Sequence, residues 1–305
     1  MREAELSSLL RELRLRCPEL PVLEREPMAK HCSFRIGGPC DAMLLPGSLP
    51  ELETVCRLLS ESGERPFLMG NGTNLLVTDG PFHRVVVRLG ERFAALEAED
   101  DRTLRAQAGI LLSQLATEAA RRDLAGLEFA HGIPGTLGGG VCMNAGAYGG
   151  ELKDVVTSVV WLDEDLVLHE SADGGFAYRR SRFTDTDCVV AEAAVRLAPD
   201  DGEAVRERMR ALLERRRASQ PLDLPSAGST FKRPAEGYAA ALIQQAGLKG
   251  YAVGGAQVSE KHTGFVVNRG GATFEDVLRL MEQIQETVLR VSGVTLEPEV
   301  KILRH

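Results

Sequence analysis

The chain has 305 residues, a formal net charge of −8 and 44% hydrophobic residues, which is enough apolar material for the cores of two or three domains. The acidic balance excludes a general affinity for nucleic acid or anionic membrane, since both demand a basic surface. Six cysteines form no C-x-x-C pair and none stands at zinc-ligand spacing with a histidine, so reduced thiols and no metal site are expected. The N-terminus is charged throughout and no window approaches ~18 apolar residues, which predicts a soluble cytoplasmic protein.

Leu6, Leu9, Leu10 and Leu13 recur at helical spacing and predict a short amphipathic helix that stops before Pro18, expected as an appendage. Ser48-Leu-Pro-Glu51 has capping-box spacing and opens a helix with Leu52, Val55, Leu58 and Leu59 on one face. Pro66 to Met69 reads as a strand, as do Val85 to Val87 and Thr103 to Ala108, and Ser113 to Arg122 reads as a helix. Val155 to Leu162, Leu166 to His169 and Val189 to Leu197 make a β-rich middle. A helix from Asp201 to Arg217 follows, its basic run from Arg206 a solvated face. Gln220-Pro-Leu-Asp-Leu-Pro225 then marks a boundary and a hinge. Tyr238 to Ala246 reads as a helix and Gly264 to Asn268 as a strand. Thr273 caps a helix with Val277, Leu280, Met281, Ile284, Val288 and Val291 on one face, Gly293 ends it, and Val294 to Leu303 is a last strand. Helices and strands do not alternate regularly, so the class is α+β in several units.

Gly132 to Gly150 holds eight glycines in nineteen residues. Glycine weakens regular structure by roughly 0.5 to 1 kcal/mol, so such a cluster signals backbone at positive φ or pressed against something else. A flexible linker is the competing reading, but Ile133, Leu137, Val141, Met143 and Tyr148 interrupt the run with apolar side chains. A second turn, Gly70-Asn-Gly-Thr-Asn74, follows a strand and partly matches the dinucleotide fingerprint. Leu75 replaces the third glycine, and Leu75-Leu-Val-Thr-Asp-Gly-Pro81 cannot form the helix which that motif requires. A hairpin turn is the other alternative. Two such turns, neither of the Walker nor the Rossmann type, suggest one extended phosphorylated cofactor lying across two subdomains.

Phe34-Arg-Ile-Gly-Gly38, Gly70-Asn-Gly-Thr-Asn-Leu-Leu76 and Gly132-Ile-Pro-Gly-Thr-Leu-Gly-Gly139 through Met143-Asn-Ala-Gly-Ala-Tyr148 together resemble the flavin-binding half of the UDP-N-acetylenolpyruvoylglucosamine reductase family, in its shorter form. Phe176-Ala-Tyr-Arg-Arg-Ser-Arg-Phe183, Pro225-Ser-Ala-Gly-Ser-Thr-Phe-Lys232 and Leu296-Glu-Pro-Glu-Val300 extend the resemblance to about residue 303. It implies a two-subdomain FAD-binding unit of the PCMH (vanillyl-alcohol-oxidase-like) type with a C-terminal α+β substrate domain. The implied division is an N-terminal extension at 1–27, FAD-binding subdomains at 28–88 and 89–200, and a substrate domain at 201–305.

By motif position the resemblance implies Arg179, Ser229 and Glu299 as catalytic residues. It implies cofactor contacts at Arg35, Ile36, Gly37, Gly70, Asn71, Gly72, Thr73, Asn74, Leu75, Gly132, Ile133, Pro134, Gly135, Thr136, Gly138, Gly139, Asn144, Ala145, Gly146 and Ala147. Tyr178, Lys232, Tyr238, Gln257 and His262 are implied for the substrate, with Lys232 a diphosphate partner. The implied activity is NADPH-dependent, non-covalent-FAD-mediated reduction of an enolpyruvyl UDP-sugar in peptidoglycan synthesis, by a monomer. Arg179 then offers a permanent cation to the developing enediolate, Glu299 a retained proton, and Ser229 the proton for the neighbouring carbon. An FAD-dependent oxidase of the wider fold family is the alternative. Ser219-Gln-Pro221 stands where relatives often carry lysine before the serine motif, so one phosphate contact of the family is missing.

Overall fold

A computed structural model describes residues 3–304, which group into two compact units built from interleaved segments. The first contains the described residues up to Glu24, with Ala42–Asn71 and Arg84–Arg215; the second contains Arg25–Asp41, Gly72–His83 and the described residues from Arg216 onward. This division differs from the serial one expected at 1–27, 28–88, 89–200 and 201–305, because residues far apart in sequence share one core.

In the first unit the helix Glu3–Arg16 buries Leu9, Leu10 and Leu13 in the main apolar cluster. It is part of that core and not an appendage: three leucines at helical spacing are removed from water, each contributing about 1.5–3 kcal/mol. Helix Leu49–Glu61 starts where Ser48 accepts the Glu51 N–H at 3.3 Å. The Glu51 carboxylate takes the N–H of Gly47, one residue earlier than a capping box requires. Five antiparallel strands follow in the order Leu168–Ser171, Val156–Leu162, Val189–Arg196, Thr103–Gln107, Leu96–Ala98. Leu166, expected to begin a strand, has a φ of 62° and lies in the turn instead. A four-stranded sheet runs Val22–Glu24, Cys40–Leu44, Phe82–Arg88, Phe67–Met69, the last two strands parallel with Met69 opposite Arg88.

The second unit has a three-stranded antiparallel sheet, Ala252–Val253, Ala256–Val258 and Val266–Asn268, against helix Phe274–Ser292. That helix buries Val277, Leu280, Met281, Ile284 and Val288, whereas Val291, in its last turn, is 57% exposed. Thr273 and Asp276 cap it reciprocally and Gly293, at a φ of 73°, ends it. The last strand is shorter than expected, Lys301–Leu303, and pairs in parallel with Leu75–Val77. Since Leu75–Val77 is a strand whose partner is Lys301–Leu303, the Gly70–Asn74 turn is neither a hairpin nor the start of a helix. Phe34, Ile36 and Leu76 complete a core otherwise made of residues from Ala227 onward.

Elements of both kinds with mainly antiparallel sheets make the fold α+β. Among the described residues no helix is long and apolar enough to cross a membrane, and none of the six cysteines forms a disulfide. Burial pushes the thiols of Cys32 and Cys56 up to about 12, with the negative charge of Glu53 adding to it at Cys56.

Candidate active site

In the first unit the two glycine motifs meet. A Cβ on Gly70 would overlap the hydroxyl of Thr136, and Asn71 Nδ2 donates to Pro134 O at 2.7 Å. Thr136 is 3% exposed, yet its Oγ1 has no hydrogen-bond partner among the described residues. A buried hydroxyl left without a partner costs about 1–3 kcal/mol, so it marks a place prepared for a ligand group. The backbone N–H groups of Gly70 and Asn71 also donate to no described residue.

The glycine cluster departs from the expected loop. Leu137–Met143 is a helix despite three consecutive glycines, anchored by Leu137 N–H to Ile110 O and Gly138 N–H to Ala108 O, both at 2.8 Å. A Cβ on Gly138 would lie 2.7 Å from the Ala108 methyl, and one on Gly140 2.8 Å from Leu152 Cδ1. Within Gly132 to Gly150 positive φ falls on Asn144, Tyr148 and Gly149. Four of these eight glycines, Gly138, Gly140, Gly146 and Gly150, therefore admit the protein's own atoms, the last lying under the Phe129 ring, while Gly139 stays exposed, with no described atom other than Thr136 Oγ1 near its missing Cβ. Ile133 and Ala145 pack against the core. Gly132 and Gly135 lie half-buried in the loop before the helix, Gly135 accepting from Leu112 N–H. Gly146 and Ala147 form a short strand.

Arg179 is tied to this cluster. Its Nη1 donates to Gly146 O at 3.2 Å, and its own φ of 54° is a conformation that costs a non-glycine residue about 1–3 kcal/mol. Asn144, 1% exposed, donates to Ala177 O and to Glu151 Oε2 and accepts from Lys153 N–H. Its amide is thus fully engaged within the protein. Ser181 and Thr184 hydroxyls both donate to Cys142 O. Glu151 is held below the usual carboxylate range, first by its bond to Lys153, then by Asn144 and the positive field of Lys153 and Arg179, against a desolvation cost. Tyr178 is 50% exposed, with the Arg179 guanidinium 5.5 Å from its ring centre.

The second unit holds the other two expected catalytic residues side by side. Glu299 N–H donates to Thr230 O at 2.9 Å, Phe231 bridges to Pro298, and Lys232 N–H donates to Glu297 O. Ser229, exposed after Gly228 at a φ of 77°, is next to Thr230 and so lies beside Glu299. Asn74 Nδ2 donates to Glu299 O at 3.0 Å and Asn74 O accepts from Lys301 N–H. Gly72 O accepts from Ser33 N–H, and Ser33 Oγ reaches Ser226 O at 2.6 Å. Gly72, Thr73, Asn74 and Leu75 are thereby fixed next to both the serine and glutamate segments. Ser33 was not expected to take part; a lone serine in Cys32-Ser-Phe34 gives no sequence signal.

Arg35 has a φ of 57° and Gly37 one of 147°, where a Cβ would lie 2.8 Å from Met28 Cβ. Ile36 is 2% exposed in the apolar core, so only its backbone is available to a ligand. Gln257, 8% exposed, spends its amide on Gly250 O, a bond that fixes the local sheet. His262 Nδ1 accepts from Gly264 N–H at 3.2 Å, which leaves the proton on Nε2, and burial holds its pKa below the ordinary value. Lys232 Nζ lies 3.3 Å from Glu297 Oε2. Tyr238 is 59% exposed, with Arg233 stacked 4.1 Å from its ring centre.

Residues 40–167 match the FAD binding domain model, and residues 220–303 match the C-terminal domain model of UDP-N-acetylenolpyruvoylglucosamine reductase. The UDP-N-acetylenolpyruvoylglucosamine reductase of Caldanaerobacter subterraneus subsp. tengcongensis is 48% identical over 91% of this chain and 92% of its own. The crystal structure of the reductase from Thermus caldophilus superposes with a TM-score of 0.78 at 32% identity, covering 93% of this chain and 99% of that one. Alkyldihydroxyacetonephosphate synthase, at 17% identity and a TM-score of 0.50 over 63% of this chain and 40% of its own, shares the fold alone. Similarity that spans both halves of the chain and nearly the full length of its relatives is decisive: the chain belongs to the UDP-N-acetylenolpyruvoylglucosamine reductase family.

Proposed function

We propose that the chain catalyses the NADPH-dependent, FAD-mediated reduction of UDP-N-acetylglucosamine enolpyruvate to UDP-N-acetylmuramate, a step of peptidoglycan synthesis, as a cytoplasmic monomer. The observation that carries this reading is the pairing of the Ser229–Lys232 and Glu297–Glu299 segments beside Asn74 of a glycine turn. It sets an exposed hydroxyl next to a half-buried carboxyl. The residues present fit FAD: the unpartnered Thr136 hydroxyl and the unbonded N–H groups of Gly70 and Asn71 are donors of the kind a diphosphate requires. Gly72, Thr73 and Asn74 N–H groups are likewise unused among the described residues.

FAD held by these donors would supply the two-electron chemistry that brings a hydride equivalent from NADPH to the terminal vinyl carbon of the substrate. Addition there drives charge into the substrate carboxylate. The Arg179 guanidinium, preset by its bond to Gly146 O, stabilises that charge without reorganising. Glu299 contributes in its protonated form, since an ionised carboxylate would repel the growing anion. The Ser229 hydroxyl gives its proton to the adjacent carbon, a strong enough base to take it from a weak acid. Tyr178, Lys232, Tyr238 and His262 bind the UDP-sugar, Lys232 exchanging Glu297 for diphosphate.

Anaerobic absorption spectra test both cofactor and reaction. Flavin bands are expected to bleach with NADPH and return with the enolpyruvyl substrate. Ser229→Ala is expected to keep NADPH bleaching within about twofold while slowing the return by at least ~10²-fold. Equal loss in both half-reactions would remove Ser229 from the proton-transfer role.

A further inference from the structure

Arg88 lies in neither glycine motif and no role follows for it from the family resemblance. It ends the strand Phe82–Arg88, directly opposite Met69, and Gly70 comes next on the partner strand. Arg88 is half-buried, its Nε is shut off from solvent, and the guanidinium makes no hydrogen bond or ion pair among the described residues. A guanidinium with one nitrogen desolvated and no counter-charge is unfavourable, and folded proteins normally pair it.

What surrounds Arg88 points to the missing anion. Its guanidinium carbon lies 3.6 Å from the position of a Cβ on Gly90. A Cβ on Gly109 would in turn overlap Gly90 O, and Ala108, the residue before Gly109, receives Gly138 N–H. On the other side Gly70 abuts the Thr136 hydroxyl. The Thr136 hydroxyl and the unused N–H groups of Gly70 and Asn71 thus lie just past the strand end that faces Arg88, whose guanidinium, bonded to no described residue, lies over Gly90. All four are donors, and among the described residues no carboxylate is paired with any of them. His131, in the loop leading to Thr136, adds a further buried nitrogen, Nδ1, without a hydrogen-bond partner among the described residues.

We propose that Arg88 is an anion-binding residue which, with Thr136, holds the diphosphate of the bound dinucleotide. A guanidinium suits phosphoryl oxygens because its planar N–H groups match two of them at once. Since no described residue neutralises the cation, the bound anion supplies its counter-charge. This rests on the FAD reading given above.

The test is equilibrium binding to apoprotein, with FAD followed by quenching of its fluorescence and ADP, which has the diphosphate and no flavin, by competition. Wild-type apoprotein that takes up no FAD overturns the FAD reading itself. With wild-type binding established, Arg88→Gln is expected to weaken FAD and ADP alike by about tenfold to a hundredfold, and Arg88→Lys to recover part of the loss. Unchanged FAD affinity in Arg88→Gln overturns the proposal; weakened FAD with unchanged ADP overturns the diphosphate assignment. Should Arg88→Gln fail to fold, the near-isosteric Thr136→Val decides. A loss of about fivefold or more for both ligands supports the shared site, and unchanged ADP binding refutes it.

Discussion

At the scale of single residues, the glycine cluster shows two uses of one amino acid that sequence cannot separate. Gly138 and Gly139 are neighbours in the same helix. The first faces Ala108 at 2.7 Å from its missing Cβ, while the second is exposed. Gly138→Ala is therefore expected to overpack the first unit and lower apoprotein stability by about 1–3 kcal/mol. Gly139→Ala should be neutral or up to about 1 kcal/mol stabilising in apoprotein, because alanine favours helix, and should weaken FAD if the bare backbone admits the cofactor. Urea unfolding of both apoproteins with FAD titration checks this, and a destabilised Gly139→Ala or an unaffected Gly138→Ala would refute the division of roles. The motifs announced a cofactor because glycine density is a compositional fact. Which glycine serves packing depended on Ala108, Leu152 and Phe129, residues whose approach is set by tertiary contacts alone. The resemblance implied Asn144 as a cofactor contact by motif position, and its side-chain amide bonds Ala177, Glu151 and Lys153, partners that no motif announces.

Among elements, those with local causes were legible. Helices at Leu49–Glu61 and Phe274–Ser292 announce themselves through Ser48 and Thr273 at their starts and an apolar face within. The helix Leu137–Met143 was not legible, since three glycines argue against it and only its bonds to Ile110 and Ala108 sustain it. The parallel pairing of Leu75–Val77 with Lys301–Leu303 was hidden because the hydrophobic pattern of a strand does not name a distant partner. Capping of the Phe274–Ser292 helix has a pH consequence. Asp276 is held below its ordinary value first by Thr273 N–H, with Gly255 N–H and the Thr273 hydroxyl adding to it and desolvation opposing. A depressed carboxylate contributes stability that is complete above the unfolded pKa of about 3.9 and lost as pH falls through the lower folded value. Asp276→Asn should therefore have a lower urea midpoint than wild type at pH 7, and the gap should narrow below about pH 4. A gap that stays constant with pH would show that the charge is irrelevant to the cap.

Over the whole molecule, the chain passes between its two units after Glu24, Asp41, Asn71, His83 and Arg215, so a sequence boundary at Gln220 to Pro225 does not delimit an independent body. Phe34, Ile36 and Leu76, at 1%, 2% and 0% exposure, belong to the second core though they precede Arg216 by 140 residues or more. Each contributes about 1.5–3 kcal/mol by burial, a sum comparable with the 5–15 kcal/mol that stabilises an ordinary domain. The strand Leu75–Val77 is also the hydrogen-bond partner of Lys301–Leu303, and Asn268 Nδ2 donates to Phe34 O at 3.1 Å. A fragment beginning at Arg216 would expose the surface under those three side chains and leave the last strand without its ladder. Expressed alone it is expected to show no cooperative urea or thermal transition by circular dichroism and to be cut rapidly by protease. Full-length protein should unfold cooperatively under the same conditions. A sharp transition in the isolated fragment would mean that the C-terminal residues close a core without the two early segments, and that the serial division read from the prolines is the physical one after all.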